Sequence, residues 1–292
     1  MYIHVGYPKC ASSFLQMDIF SKDKRIRFHG IIRDPDSSKK IKTNPLIHEF
    51  ILYVRGKTNI TPKTKDLFRV INSSDINVIS DEDFVMHDNV VVEDKVKRIK
   101  NIFPSAKIII VVRSPISFLK SYYDFYFRGG HIKIGLNDFY NKEFKDYNKS
   151  TLLQTAHYKR CISHFIKESG KENVCVLNLE NLKYNSNNFM SSLYKFMGLK
   201  YIKPKNEIKK RNVALPESAL NFGLIFPSIW GMRIYFPKFI RRIIKYVFRK
   251  IKAQSEFFNA SNINRINKLY IDDVQYLESK HCIFLKISYF FV

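Results

Sequence analysis

Apolar residues concentrate in four short runs: Met1–Tyr7, INVIS (Ile76–Ser80), KIIIVV (Lys107–Val112) and NVCVLNL (Asn173–Leu179). Runs of this length, bounded by turn or charged residues and rich in Ile and Val, predict buried strands. Between them apolar positions recur at helical spacing, which predicts helices over Ser12–Phe20, His48–Val54, Asp94–Phe103, Pro115–Phe127, Ala156–Glu168 and Phe189–Met197, the last ended by Gly198. Pro115 suits a first helical turn because its missing N–H would have no partner there. The remainder of Ser21–Lys65 is irregular and basic, with turn signals at Asp34-Pro35 and Asn44-Pro45. Strands alternating with helices predict an α/β protein with a largely parallel central sheet flanked by helices. The alternation stops near Pro216, and no repeat or low-complexity linker precedes it. A core over 1–216 and a basic helical extension over 217–292, packed on the core, are therefore expected.

Composition narrows the classes. With 292 residues, 45% apolar and 15% aromatic, the chain can bury a substantial core, which excludes a disordered protein. Fifty Lys and Arg against 26 Asp and Glu give a formal charge of +24 and favour a polyanionic partner. Cys10, Cys161, Cys175 and Cys282 are scattered, with no His at zinc-ligand spacing beside them, so neither a metal site nor a disulfide framework is expected. The N-terminus lacks the pattern of a secretory leader, and no segment approaches the ~20 apolar residues of a membrane span. A cytoplasmic protein is expected, open to peripheral contact with the inner face of a membrane.

Two segments carry candidate chemistry. In HVGYPKCASSFLQ (His4–Gln16) a strand ends at Gly6, turns through Pro8 and Lys9 and enters a helix near Ser12 and Ser13. Such a turn aims free amides and a helix dipole at one point and binds an anion, with Lys9 adding a cation and the serines adding hydroxyls. Lys9 comes too early for a G-x-x-x-x-G-K-[ST] loop, which disfavours a Mg-nucleotide kinase. An ordinary strand, turn and helix with capping serines would look the same taken alone. In KIIIVVRSPISFLKSYYDFYF (Lys107–Phe127), Arg113 follows the carboxyl end of an apolar strand, where open α/β sheets bind ligands. Ser121 follows eight residues later, so a guanidinium and a hydroxyl could grip one phosphate.

Together these segments resemble the family of sulfotransferases that use 3'-phosphoadenosine 5'-phosphosulfate (PAPS), and most resemble its bacterial carbohydrate-type members. The first is similar to that family's 5'-phosphosulfate loop, G-x-P-K-x-x-[ST]-[ST], and the second to its 3'-phosphate motif, R-x-x-x-x-x-x-x-S. Gly170–Leu199 resembles the family's later strand, acidic-x-Leu turn and helix, and Lys209–Pro216 resembles a basic Arg-Asn segment. The resemblance covers about residues 2–216 and implies a P-loop-like sulfotransferase fold. It implies that Pro8, Lys9, Cys10, Ala11, Ser12, Ser13 and Phe14 line the phosphosulfate, that Arg113 and Ser121 hold the 3'-phosphate, and that Arg211 and Asn212 reach the nucleotide's far side. Cys10 and Ala11 depart from the hydroxyl or Gly of many members, and Leu179 stands where some place an aromatic against adenine.

Sulfuryl transfer needs positioning, charge stabilisation and a base for the attacking hydroxyl. PAPS is then the co-substrate, PAP (3'-phosphoadenosine 5'-phosphate) its product, and no metal is required. The family places a His or Glu base just before the strand carrying the 3'-phosphate Arg. Here INVISDEDF (Ile76–Phe84) offers Glu82, with Asp81 and Asp83 able to raise its pKa and His87 as runner-up. Equally, S-D-E-D could merely cap a following helix. Lys9 would neutralise charge on the departing phosphate.

From Arg233 to Lys252 there are eight Lys or Arg and no acids, and Ile240, Ile243, Ile244, Val247, Phe248 and Ile251 fall on one helical side. That helix could lie on an anionic membrane or pack on the core. The acceptor expected is a carbohydrate or lipid-linked glycan. The rival function is a non-catalytic polyanion- or membrane-binding protein retaining a nucleotide fold, and no motif supports nucleic-acid binding.

Overall fold

A computed structural model describes residues 1–30, 45–59, 76–86, 90–203 and 257–283, with 32–33, 40–42, 236–237, 285 and the single positions 240, 243 and 246. Arg211, Asn212, His87 and most of the basic segment 233–252 lie outside the described residues. The chain divides into two compact units. One comprises Met1–Arg113, His157–Lys209 and Asp272–Lys286, the other Ser114–Ala156, Lys210–Ile271 and Ile287–Val292.

The first unit is built on strands β1 (Tyr2–Gly6), β2 (Ile26–Phe28), β3 (Ile32–Arg33), β4 (Lys40–Lys42), β5 (Ile76–Asp81), β6 (Lys107–Val112) and β7 (Val174–Asn178). Five form one sheet in the order β2-β5-β1-β6-β7, and β3 and β4 pair separately. Every pairing in the large sheet is parallel. Ile108, Ile109, Ile110, Val111 and Val112 are all fully buried. Successive strand side chains face opposite ways, so an unbroken buried run means that both faces are covered. Helices at Val92–Ile102, Tyr158–Ser169 and Ser186–Phe196 turn Val96 and Ile99, Ile162 and Phe165, and Met190 and Leu193 into that core.

A helix at Ala260–His281 leaves helical geometry at Tyr270, and its later half belongs to the first unit. There Asp273, 3% exposed, accepts a bond from the backbone N–H of Lys159 at 2.7 Å and pairs with His157 Nδ1 at 2.9 Å. The carboxylate thereby satisfies a free amide at the start of the Tyr158–Ser169 helix.

The second unit is helical. Ser114 caps Pro115–Gly129 through Ser117 N–H, and Gly130 ends that helix at φ 78°. Leu136–Lys145 packs on it, with Tyr140 Oη donating to Leu119 O at 2.7 Å. Tyr270 Oη likewise donates to Leu153 O at 2.9 Å.

Several boundaries differ from the sequence expectation. Pro45 opens a helix (Pro45–Val54) rather than closing a turn. Ser12–Phe14 is α-helical, but Leu15–Phe20 is a π-helix. β7 stops at Asn178, whose Oδ1 accepts from Glu180 N–H at 2.8 Å and starts a short helix, Leu179–Tyr184. The irregular basic stretch supplies β2.

Candidate functional site

β1 lies at the centre of the sheet, and its register with β5 and β6 sets Val5 against Asp81 and Gly6 against Val111. Val112 lies against Asn178. Residues following β1, β5, β6 and β7 therefore emerge along one edge, where a parallel sheet delivers ligand groups. The loop after β1, the turn at Glu82, Arg113 and the helix Leu179–Tyr184 all start there.

The loop is a strained turn. Pro8 cannot donate to a neighbouring strand, so β1 ends, and Cys10 N–H closes a turn onto Tyr7 O at 3.1 Å. Pro8 and Lys9 are the central residues of that turn, and Lys9 has φ 64°, a position that glycine usually fills. Ala11 is left-handed too, with φ 64° and ψ 16°. Lys9 and Ala11, on either side of Cys10, both stand in the left-handed region, a backbone pattern of the kind that anion-binding nests use. Ala11 precedes the helix with no side-chain oxygen to cap it, and Leu15 N–H bonds Ala11 O at 3.0 Å. Ser12 is 2% exposed, and its Oγ donates back to Tyr7 O at 3.4 Å. A Cβ on Gly6 would stand 2.6 Å from that Oγ, so only glycine leaves the hydroxyl its seat. Lys9, Ala11 and Ser13 reach solvent, whereas Pro8, Cys10 and Phe14 are buried.

Arg113 leaves β6 and donates from Nη1 to Lys9 O at 3.0 Å. Its Nε is buried with no partner among the described residues. Burial pushes the Cys10 thiol far up, and the charges that act on it next are Arg113, Glu180, Glu82 and Lys183. Side chains following three strands thus bear on one loop residue. Burial and Arg113 lower the Lys183 amine, while Glu180 opposes the shift. Lys183 was not singled out in the sequence; its only signal there is its place after the acidic-x-Leu turn.

After β5 the chain forms a 3-10 turn, Glu82–Phe84. Asp81, not Glu82, is its cap, accepting from Asp83 N–H at 2.8 Å. Asp83 pairs with Arg55 at 2.5 Å. Lys95, fully buried, donates from Nζ to Asp83 O at 2.9 Å and Met86 O at 2.6 Å. The acidic run divides its work: Asp81 and Asp83 shape the turn, and Glu82 lies between them. Burial, then Asp83, pushes the Asp81 carboxyl up to about 7, with Glu82 adding to it. The raised carboxyl of Asp81 directly precedes Glu82 in the chain.

Ser121 sits in the Pro115–Gly129 helix of the second unit, half-buried. The structure brings Lys9, Cys10, Glu82 and Arg113 together at one edge of the first unit.

Among known families, a model described as the sulfotransferase family matches residues 57–203, half of the chain. That span takes in Glu82, Arg113, Ser121 and Lys183 but not the loop at 8–14. The fold is similar to that of a sulfotransferase from Alicyclobacillus acidocaldarius, at 15% identity and a TM-score of 0.51 over 82% of this chain and 98% of that one. It is similar also to mouse sulfotransferase SULT7A1 complexed with PAP, at 15% identity and a TM-score of 0.51 over 96% of this chain and 86% of that one. No curated protein matches the sequence.

Proposed function

The chain belongs to the sulfotransferase family, and from that premise we propose that it moves the sulfuryl group of PAPS to a hydroxyl of a carbohydrate or glycolipid acceptor. The observation that carries this is the bond between Arg113 and the Lys9 carbonyl, which seats a guanidinium beside an anion-receiving loop. The residues present fit the donor. Arg113 keeps a buried Nε–H for a second phosphate group, and the nest around Cys10 suits the 5'-phosphosulfate. The mouse protein of similar fold is complexed with PAP.

In this proposal Lys9, Ser12 and Ser13 hold the 5'-phosphosulfate with the backbone of residues 8–14, and Arg113 holds the 3'-phosphate. Ser121 joins Arg113 on the strength of its sequence spacing. Transfer forms a bond from the acceptor oxygen to sulfur and breaks the bond from sulfur to the 5'-phosphate oxygen. Lys9 offsets charge on the departing phosphate, and Glu82 takes the acceptor's proton. A group beside Glu82 that titrates near 7, Asp81, makes the local charge sensitive to pH in the working range.

A carbohydrate acceptor is supported by the likeness of Lys209–Pro216 to the Arg-Asn segment of bacterial carbohydrate-type members. Ile243 and Tyr246, exposed at 56% and 61% within the basic segment, favour an acceptor at an anionic membrane. The test is transfer of sulfur-35 from labelled PAPS to a panel of soluble and lipid-linked glycans. Label should appear on a glycan with the unmodified chain and not with Glu82→Gln. Label on phenols or peptides alone would reject the acceptor class, and full turnover by Glu82→Gln would reject the base.

A further inference from the structure

The residues that enter and leave the strained loop are cross-linked by one buried hydroxyl. His4 lies in β1, two residues before Gly6, and Gln16 lies in the π-helix that follows the loop. Ser80 is the register partner of His4 on β5 and directly precedes Asp81. Its Oγ stands 2.7 Å from His4 Nδ1 and receives Gln16 Nε2–H at 2.9 Å. His4 is fully buried and Ser80 is 1% exposed.

Gln16 donates to Ser80 Oγ, and His4 Nδ1 shares that oxygen in a second bond whose direction is set by the His4 tautomer. Burial keeps the imidazole neutral, and its Nε2 is buried with no partner among the described residues. Its Cε1 would lie 3.3 Å from a Cβ on Gly6, on the side where Ser12 Oγ packs. The ring thus backs the glycine that seats the loop serine, and it meets Phe20 of the π-helix edge-on at 5.8 Å between centroids.

We infer that His4, Ser80 and Gln16 are positioning residues for the sulfuryl donor, closing the loop of residues 7–15 into a hydrogen-bonded circuit that holds it ready for the 5'-phosphosulfate. Left-handed backbone is strained at non-glycine residues, so Lys9 and Ala11 persist there only where the surroundings over-determine them. Strand pairing holds the entry through His4, and the Gln16 bond holds the exit. Because the hydroxyl belongs to the residue before Asp81, the same circuit fixes the loop relative to the turn bearing Glu82. Preorganised sites lose affinity when such a brace is cut, although no ligand contact is removed.

This rests on residues 8–14 receiving the 5'-phosphosulfate, and a pair of ligands separates the two ideas. PAP carries both phosphates, whereas adenosine 3'-phosphate lacks the one that the loop would bind. Titration calorimetry of Ser80→Ala and Gln16→Met should show PAP affinity lowered about tenfold or more, with adenosine 3'-phosphate changed less than about twofold. Ser80→Thr, which keeps the hydroxyl, should recover PAP affinity to within about threefold of the unmodified chain. Gln16, half-buried on a helix, keeps the test open should the strand variant fold poorly. Equal losses for the two ligands, or unchanged PAP affinity in a folded variant, would overturn the brace alone. An unmodified chain that binds both ligands equally would overturn the loop assignment and the brace with it.

Discussion

Arg113 Nη1 donates a 3.0 Å hydrogen bond to the carbonyl of Lys9, joining two residues 104 apart in the sequence. The bond binds the strained turn to the end of β6 and orients a guanidinium whose Nε has no partner among the described residues. Geometry and charge are both supplied by this side chain, and a substitution series separates them. Arg113→Lys keeps the charge but loses the planar fork, and PAP affinity should fall about tenfold; Arg113→Ala loses both and should fall about a hundredfold. Calorimetric titration reads both, and equal binding by the lysine variant would show that only charge is used.

Gly6 is held to glycine by a serine. An added Cβ would lie 2.6 Å from Ser12 Oγ and 3.3 Å from the His4 ring, and both neighbours are buried, so neither can retreat without repacking around it. Gly6→Ala should displace Ser12 from the loop and lower PAP affinity about tenfold or more, because steric overlap in a packed site is relieved by moving its members. The circular dichroism spectrum should change little. Unaltered affinity would place Ser12 outside the donor site.

Much of the candidate site's placement at the strand ends was legible because its signals are local. The run Ile108–Val112 shows as a strand since both its faces are buried, and Lys9 and Arg113 stand at fixed offsets from strand ends. β2 was not legible: it has three residues, and Arg27 in its middle is exposed. The helix Ala260–His281 escaped because its buried positions include Asn262 and Asp273 beside Ile266, Val274 and Leu277, which dilutes the apolar stripe. The meeting of His4, Ser80 and Gln16 depends on the β1–β5 register, and a chain that must first pair its strands carries no local mark of it. Asp81 was read as a neighbour of the base; only its burial in the folded unit makes it the group that titrates near 7.

His4 and Asp81 give stability two opposed dependences on pH. Burial lowers the His4 imidazole to about 3. Between about 3 and the ordinary 6.5 the unfolded chain binds a proton that the folded one refuses, so this group makes stability rise with pH. Burial and Asp83 raise Asp81 to about 7. Between its ordinary value of about 3.9 and 7 the folded chain binds the extra proton, so this group makes stability fall as pH rises. The slopes oppose each other from about pH 4 to 6.5, each at most about 1.4 kcal/mol per pH unit. Asp81→Asn should make stability climb more steeply with pH over that range than in the unmodified chain, and His4→Asn should make it climb less. Urea unfolding at four pH values measures the slopes, and identical slopes in all three proteins would refute both assignments.

Lys183 should act on the donor through space rather than through a fixed bond. Its amine is lowered by burial and by Arg113, with Glu180 opposing, so two cations share the edge to which the donor phosphates are assigned in our proposal. Most of the residue is nevertheless open to solvent, the amine being only partly desolvated, so salt should screen its attraction, whereas the partly buried guanidinium of Arg113 should be screened far less. At low ionic strength Lys183→Ala should weaken PAP binding about threefold to tenfold, and near 0.5 M salt the variant and the unmodified chain should bind about equally. The loss in Arg113→Ala should persist in the same buffers. A Lys183 effect that survives high salt would mean a direct, ordered contact with the nucleotide, and no effect at low salt would remove this residue from the donor's field.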